Sequence, residues 1–87
     1  MSKYNLVYKG PAVKQIKKLS PPIRKRLKSK LEWFISQSDP IDFSEPLIKH
    51  ADAQYRFRVG NYRILFDIEN NDLIILYVQY RKDVYRN

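Results

Sequence analysis

From Tyr55 to Ile68 the chain reads YRFRVGNYRILFDI, an alternation of apolar and polar residues interrupted once, at Gly60-Asn61. Side chains alternate between the two faces of a strand, and a Gly-Asn pair between two such runs can close a hairpin. A two-residue turn there pairs Val59 with Tyr62, Arg58 with Arg63 and Phe57 with Ile64. The apolar set then shares one face, and Arg56, Arg58 and Arg63 share the other. Arg56 and Arg58 stand about 7 Å apart by strand geometry. Like charges directly opposite across a strand pair destabilise it by a few tenths of a kcal/mol. Folding alone gives no reason for that arrangement, so an anionic partner is expected. Three guanidinium groups within one side-chain reach make a phosphate-sized cationic surface on a rigid support.

The rest of the chain frames this hairpin. Tyr4–Tyr8 is short, apolar and aromatic, and it ends at Gly10-Pro11, so it reads as a first strand. From Pro11, Val13, Ile16 and Leu19 recur at helical spacing. Ser20 is a candidate N-cap and Pro21 a first helical residue, after which Ile23, Leu27, Leu31, Phe34 and Ile35 form one stripe. Residues 36–54 hold two prolines and no sustained period; they read as a connecting loop packed by Ile41, Phe43 and Leu47. Leu73–Tyr80 (LIILYVQY) is nearly continuous and β-rich, as a central strand covered on both faces would be. The expected fold is α+β, in the order β-α-α-β-β-β, with an antiparallel sheet packed against an amino-terminal helical hairpin in a single domain over residues 1–87.

The position of Arg81 depends on the turn at Asn70-Asn71-Asp72. A three-residue loop sets Gln79 opposite Arg63 and keeps Arg81 on the arginine face. A two-residue loop reverses the parity, unless a bulge re-aims the strand.

Composition narrows the partners. With 17 Lys and Arg against 9 Asp and Glu, the net charge of +8 favours nucleic acid, an anionic membrane or an acidic protein. Zero cysteines and one histidine, His50, argue against disulfides and against thiolate or imidazole metal clusters. No apolar run approaches the roughly eighteen residues of a membrane span, and no secretory leader is evident, so a soluble cytoplasmic protein is expected. Lys14, Lys17, Lys18, Arg24, Lys25, Arg26, Lys28 and Lys30 crowd the helical region. They read either as a solvated face or as a surface for rRNA phosphates, with Lys17, Lys18 and Lys28 as candidate contacts. Trp33 and Phe34 read as core or partner-packing aromatics.

The segment PLIKHADAQYRFRVGNYRILFDIENNDLIILYVQYRKDVYR, Pro46 to Arg86, resembles the signature half of the RelE/ParE superfamily of toxin–antitoxin toxins. The pairing of YRFRVGNYR with the distant RKDVYR carries the likeness. The resemblance implies a toxin held off by a cognate antitoxin in a hetero-oligomer. In the RelE branch it implies ribosome-dependent cleavage of mRNA in the decoding site, with no metal or other cofactor. The 2′-hydroxyl attacks the adjacent phosphate and leaves a cyclic phosphate and a free 5′-hydroxyl. Carried over by position, Arg63, Arg81 and Tyr85 are the implied catalytic residues, and Arg56 and Arg58 bind RNA phosphate. Tyr80 stands where many relatives have histidine, and His50 in the loop is no obvious replacement. The ParE branch implies inhibition of DNA gyrase without nuclease activity, and a non-catalytic RNA-binding relative is a further alternative.

Overall fold

The computed structural model describes residues 3–50 and 52–80. Its elements run β1 (Asn5–Tyr8), α1 (Gly10–Lys17), α2 (Pro21–Ser36), a 3-10 turn (Pro40–Phe43), β2 (Glu45–Pro46), β3 (Tyr55–Val59), β4 (Tyr62–Glu69) and β5 (Asp72–Tyr80). They form one α+β unit around a five-stranded sheet of order β1-β5-β4-β3-β2. Neighbours from β2 to β5 are antiparallel, and β1 joins β5 in parallel. The apolar run of β5 is therefore central, between β1 and β4.

Prolines mark both helix starts, where the missing N–H costs nothing. Ser20 holds the N-cap position of α2, but its side chain makes no cap bond. Its carbonyl accepts the Arg24 N–H at 2.9 Å. Leu27, Leu31 and Phe34 of the predicted stripe are buried, and Ala12 is buried on α1. These residues meet Phe57, Val59, Ile64, Phe66, Leu73, Ile75 and Val78 in one core. At its centre Phe34 stacks on Phe57 at 4.1 Å between ring centroids, and Phe57 on Phe66 at 4.2 Å. Such pairs contribute about 0.5–1.5 kcal/mol each beyond their buried area.

The segment 36–46 carries more regular structure than a plain connecting loop. Asp39 accepts the Ile41 N–H at 3.2 Å and starts the 3-10 turn. The chain then runs into β2, which pairs Glu45 with Arg56 and Pro46 with Tyr55. Pro40 is buried, whereas Phe43 is 47% exposed and lies edge-on to Trp33 at 5.1 Å. Trp33 and Phe34 part company: Phe34 enters the core, and Trp33 stays at the surface beneath the Lys30 ammonium, 4.4 Å from its ring centre.

The β3–β4 register matches the two-residue turn, with Gly60 at φ +57°, a value that disfavours any residue with a Cβ. The second turn has two residues, Asn70 and Asn71, since Glu69 pairs with Asp72. Asn70 takes φ +55°, which asparagine tolerates. Farther along, Phe66 pairs with Ile75 but Leu65 with Tyr77, so Leu76 is an extra residue in β5. This bulge shifts the register by one and brings Gln79 opposite Arg63. The two-residue loop and the three-residue parity thus coexist.

Candidate nucleic-acid interface

Because paired residues share a face, the register fixes what stands on the side of the sheet away from the helices. Two rows cross it. One runs Glu45, Arg56, Leu65, Tyr77, and the next runs Arg58, Arg63, Gln79. Arg56, Arg58 and Arg63 are therefore brought together as the alternation predicts, and Arg58 and Arg63 are direct cross-strand partners. Leu65 is buried between Arg56 and Tyr77 and gives the rows an apolar floor.

The three arginines differ in setting. The Arg58 side chain is 58% exposed, that of Arg56 is 18% exposed, and Arg63 as a residue is 8% exposed. Arg63 is the buried charged residue among the described ones. Arg58 is thus exposed beside two less accessible arginines. Charges interact more strongly where water is excluded.

Glu45 is the residue that sequence reasoning missed. Its Oε2 accepts from Arg56 Nη2 at 2.6 Å, and its Oε1 meets Arg58 Nε at 2.7 Å. The hydrogen bond from Arg56, with the charge of both arginines, holds the Glu45 carboxyl below the usual glutamate range, against a smaller opposing effect of desolvation. The cationic surface is thus already bridged by one internal carboxylate. Arg56 retains a buried Nε without a hydrogen-bond partner. Two-residue β2 has no periodicity to detect, so the only signal was an acidic residue preceding Pro46-Leu47.

Of the helical cations, Arg26 and Lys30 share an open hollow with Arg58, whereas Lys17, Lys18 and Lys28 line other hollows. Lys17 and Lys28, with Arg24, rim an open groove of about 320 Å³ whose apolar lining includes Tyr8, Ile16 and Leu27. Burial and, to a lesser degree, the charge of Glu32 push the Tyr8 hydroxyl above its ordinary pKa. Lys18 borders a separate hollow with Gln15, Tyr62, Gln79 and Tyr80. Tyr62 and Tyr80 meet edge to face at 5.2 Å, with Tyr80 37% exposed. Gln15 reaches from α1 to β5, where its Oε1 accepts the Val78 N–H at 2.6 Å. His50 is exposed in the loop and its Nδ1 accepts the Asp52 N–H at 3.1 Å. Arg81 and Tyr85 lie outside the described residues. No cluster of three or more potential metal ligands occurs among the described residues, and no described helix is long and apolar enough to cross a membrane.

The model for the ParE toxin of the type II toxin–antitoxin system parDE matches residues 6–85. Toxin RelE3 of Methanocaldococcus jannaschii is 35% identical over 75 residues, spanning 84% of this chain and 85% of that protein. The RelBE2 toxin–antitoxin complex of Mycobacterium tuberculosis contains a chain with TM-score 0.73 and 25% identity, covering 93% of this chain and 94% of its own. The RelB–RelE complex of Methanococcus jannaschii contains one with TM-score 0.69 and 27% identity, covering 91% and 94%.

Proposed function

This chain belongs to the ParE toxin family of type II toxin–antitoxin systems, within the RelE/ParE superfamily, and from that membership we propose that it is a ribosome-dependent mRNA endoribonuclease. The observation that carries the reading is the common face of Arg56, Arg58 and Arg63, with Arg58 and Arg63 directly opposed. A sheet gains nothing from that opposition, whereas a phosphodiester crossing the face is met by several planar donors.

In the proposed reaction the mRNA 2′-oxygen attacks the adjacent phosphorus while the bond to the 5′-oxygen breaks. The 2′-hydroxyl proton leaves, a proton reaches the departing 5′-oxygen, and the products are a cyclic phosphate and a 5′-hydroxyl. Arg63 stabilises the charge that builds on the phosphate in the transition state, with Arg56 and Arg58 holding the strand. Removing one such donor typically costs about 10²–10³ in rate. By resemblance, Arg81 neutralises the leaving oxygen, and Tyr85 stacks on a base or takes the 2′ proton. Free tyrosine titrates near 10 and arginine above 12, so neither is an efficient proton carrier at neutral pH. Most of the acceleration is therefore assigned to alignment of the RNA by the ribosome and to charge stabilisation. Lys17, Lys18 and Lys28 are assigned to rRNA phosphates, on the helical side. The toxin works in the cytoplasm and is neutralised by a cognate antitoxin in a hetero-oligomer, a pairing supported by neighbours that were solved as toxin–antitoxin complexes.

The family match to a ParE toxin favours one second reading, inhibition of DNA gyrase without RNA chemistry. Parallel assays separate the two: supercoiling by purified gyrase, and mRNA integrity in a translation complex with a defined codon in the decoding site. Cleaved mRNA with unimpaired supercoiling supports the nuclease. The reverse pattern replaces it with the gyrase inhibitor.

A further inference from the structure

Glu45 sits in the position that the proposed function reserves for a phosphate. Its two carboxylate oxygens are divided between Arg56 and Arg58, at 2.6 and 2.7 Å, much as two unesterified oxygens of a phosphodiester would be. Each oxygen meets one arginine, and the buried Nε of Arg56 still has no acceptor. A tetrahedral group of like charge, whose oxygens project differently from those of a planar carboxylate, has that donor to gain on replacing it.

The element that carries Glu45 is built to let go. β2 has two residues at the edge of the sheet, and the second, Pro46, has no N–H to give the ladder. Beyond the pair, Leu47 N–H donates to the Gln54 carbonyl at 2.9 Å. The Glu45 side chain is 47% exposed and that of Arg58 58% exposed, so an incoming strand reaches the ion pair from solvent. The Arg58 half of the bridge is an exposed pair, weak and open to competing ions, while the Arg56 side chain in the other half is 18% exposed.

We propose that Glu45 is the resident occupant of an anion seat made by Arg56 and Arg58, and that a phosphodiester of single-stranded RNA displaces it. The inference rests on the reading that this face takes RNA phosphate. Glu45 keeps the two guanidiniums aligned in the empty protein and sets a threshold of affinity for RNA that the bare arginines would not impose. It acts as a positioning and selectivity residue, since weakly presented phosphates fail to exchange with it.

The test uses the full chain and a short single-stranded RNA that is 2′-O-methylated throughout, so that binding is read without cleavage and without ribosomes. Affinity is measured by fluorescence anisotropy over a series of salt concentrations for wild type, Glu45→Gln, Glu45→Asp and Glu69→Gln. Glu69→Gln removes the same charge from an exposed position at the far end of β4. Glu45→Gln should bind roughly three- to tenfold more tightly than wild type, with a similar salt slope, because the same phosphate is seated in both proteins. Glu45→Asp, too short to bridge both arginines, should move in the same direction by less, and Glu69→Gln should stay near wild type. Adding Arg58→Ala to Glu45→Gln should abolish the gain. Equal affinity of Glu45→Gln and Glu69→Gln, weaker binding by Glu45→Gln, or no binding by any variant overturns the proposal. A wild type that binds as described but cleaves no mRNA leaves this inference standing and removes only the nuclease.

Discussion

Arg58 and Arg63 face each other across the β3–β4 hairpin, yet Arg58 is exposed at the rim with Glu45 on its Nε while Arg63 is buried. The fold therefore depends on them unequally. Arg58→Thr removes an exposed ion pair and relieves a like-charge opposition, and its effect on stability should stay within about 0.5 kcal/mol. Arg63→Ala strips a buried side chain from its surroundings and should cost about 1–3 kcal/mol. Urea denaturation of the two variants measures the difference. Equal costs would mean that burial does not distinguish the two arginines.

Gln15 takes over where β1 leaves the sheet. The parallel pairing of β1 with β5 ends at Ile75, and beyond it the Val78 N–H is met by the Gln15 side chain at 2.6 Å. Gln15→Ala should leave that donor unsatisfied and cost about 1–3 kcal/mol. Hydrogen exchange at the Val78 amide should speed up more than at Ile75 or Ile64. Uniform acceleration of all three would contradict a local role.

The phenylalanine stack is fully enclosed, with Phe57 and Phe66 both buried. Phe57→Ala should cost about 3–5 kcal/mol, a large share of the 5–15 kcal/mol typical of a whole domain. Trp33→Ala removes a surface ring with one cation above it and should cost less than about 1.5 kcal/mol. Chemical denaturation monitored by circular dichroism compares them on one scale.

Two groups give opposite pH dependences. Glu45 has a folded pKa below its ordinary 4.5, so its contribution is complete above that value and fades as pH falls through the lowered folded value. Tyr8 has a folded pKa above its ordinary 10.0, so its contribution is complete below about pH 10 and fades as pH rises toward the raised value. Thermal unfolding should show Glu45→Gln losing less stability than wild type between pH 5 and pH 3. Tyr8→Phe should lose less than wild type above pH 10. Curves parallel to wild type in either range would contradict the assigned cause.

The hairpin and the helical stripe were legible because each rests on a period that burial enforces. Phe57, Val59, Ile64 and Phe66 must share a face to reach Leu27, Leu31 and Phe34, and the arginines are carried to the other face as a consequence. The second turn was not legible to the same degree. A two-residue loop and a bulge at Leu76 each shift parity, and their sum restores it at Gln79. Sequence exposes neither operation alone. β2 was hidden because two residues cannot display alternation, and with it was hidden Glu45, which joins two of the predicted arginines. Phe43 misled because an apolar residue in a loop has no periodic neighbours to say which way it turns.

The central claim is that this arginine face acts on mRNA in the ribosome, and one measurement tests it most directly. Wild type and Arg63→Lys are added to translation complexes that hold a defined codon in the decoding site, and new mRNA ends are mapped beside a naked-RNA control. Arg63→Lys keeps the charge but not the planar fork. The account predicts cuts within that codon by wild type, a loss of about 10²-fold or more in Arg63→Lys, and none on naked RNA. Intact mRNA with wild type, or equal cutting by both proteins, would contradict it.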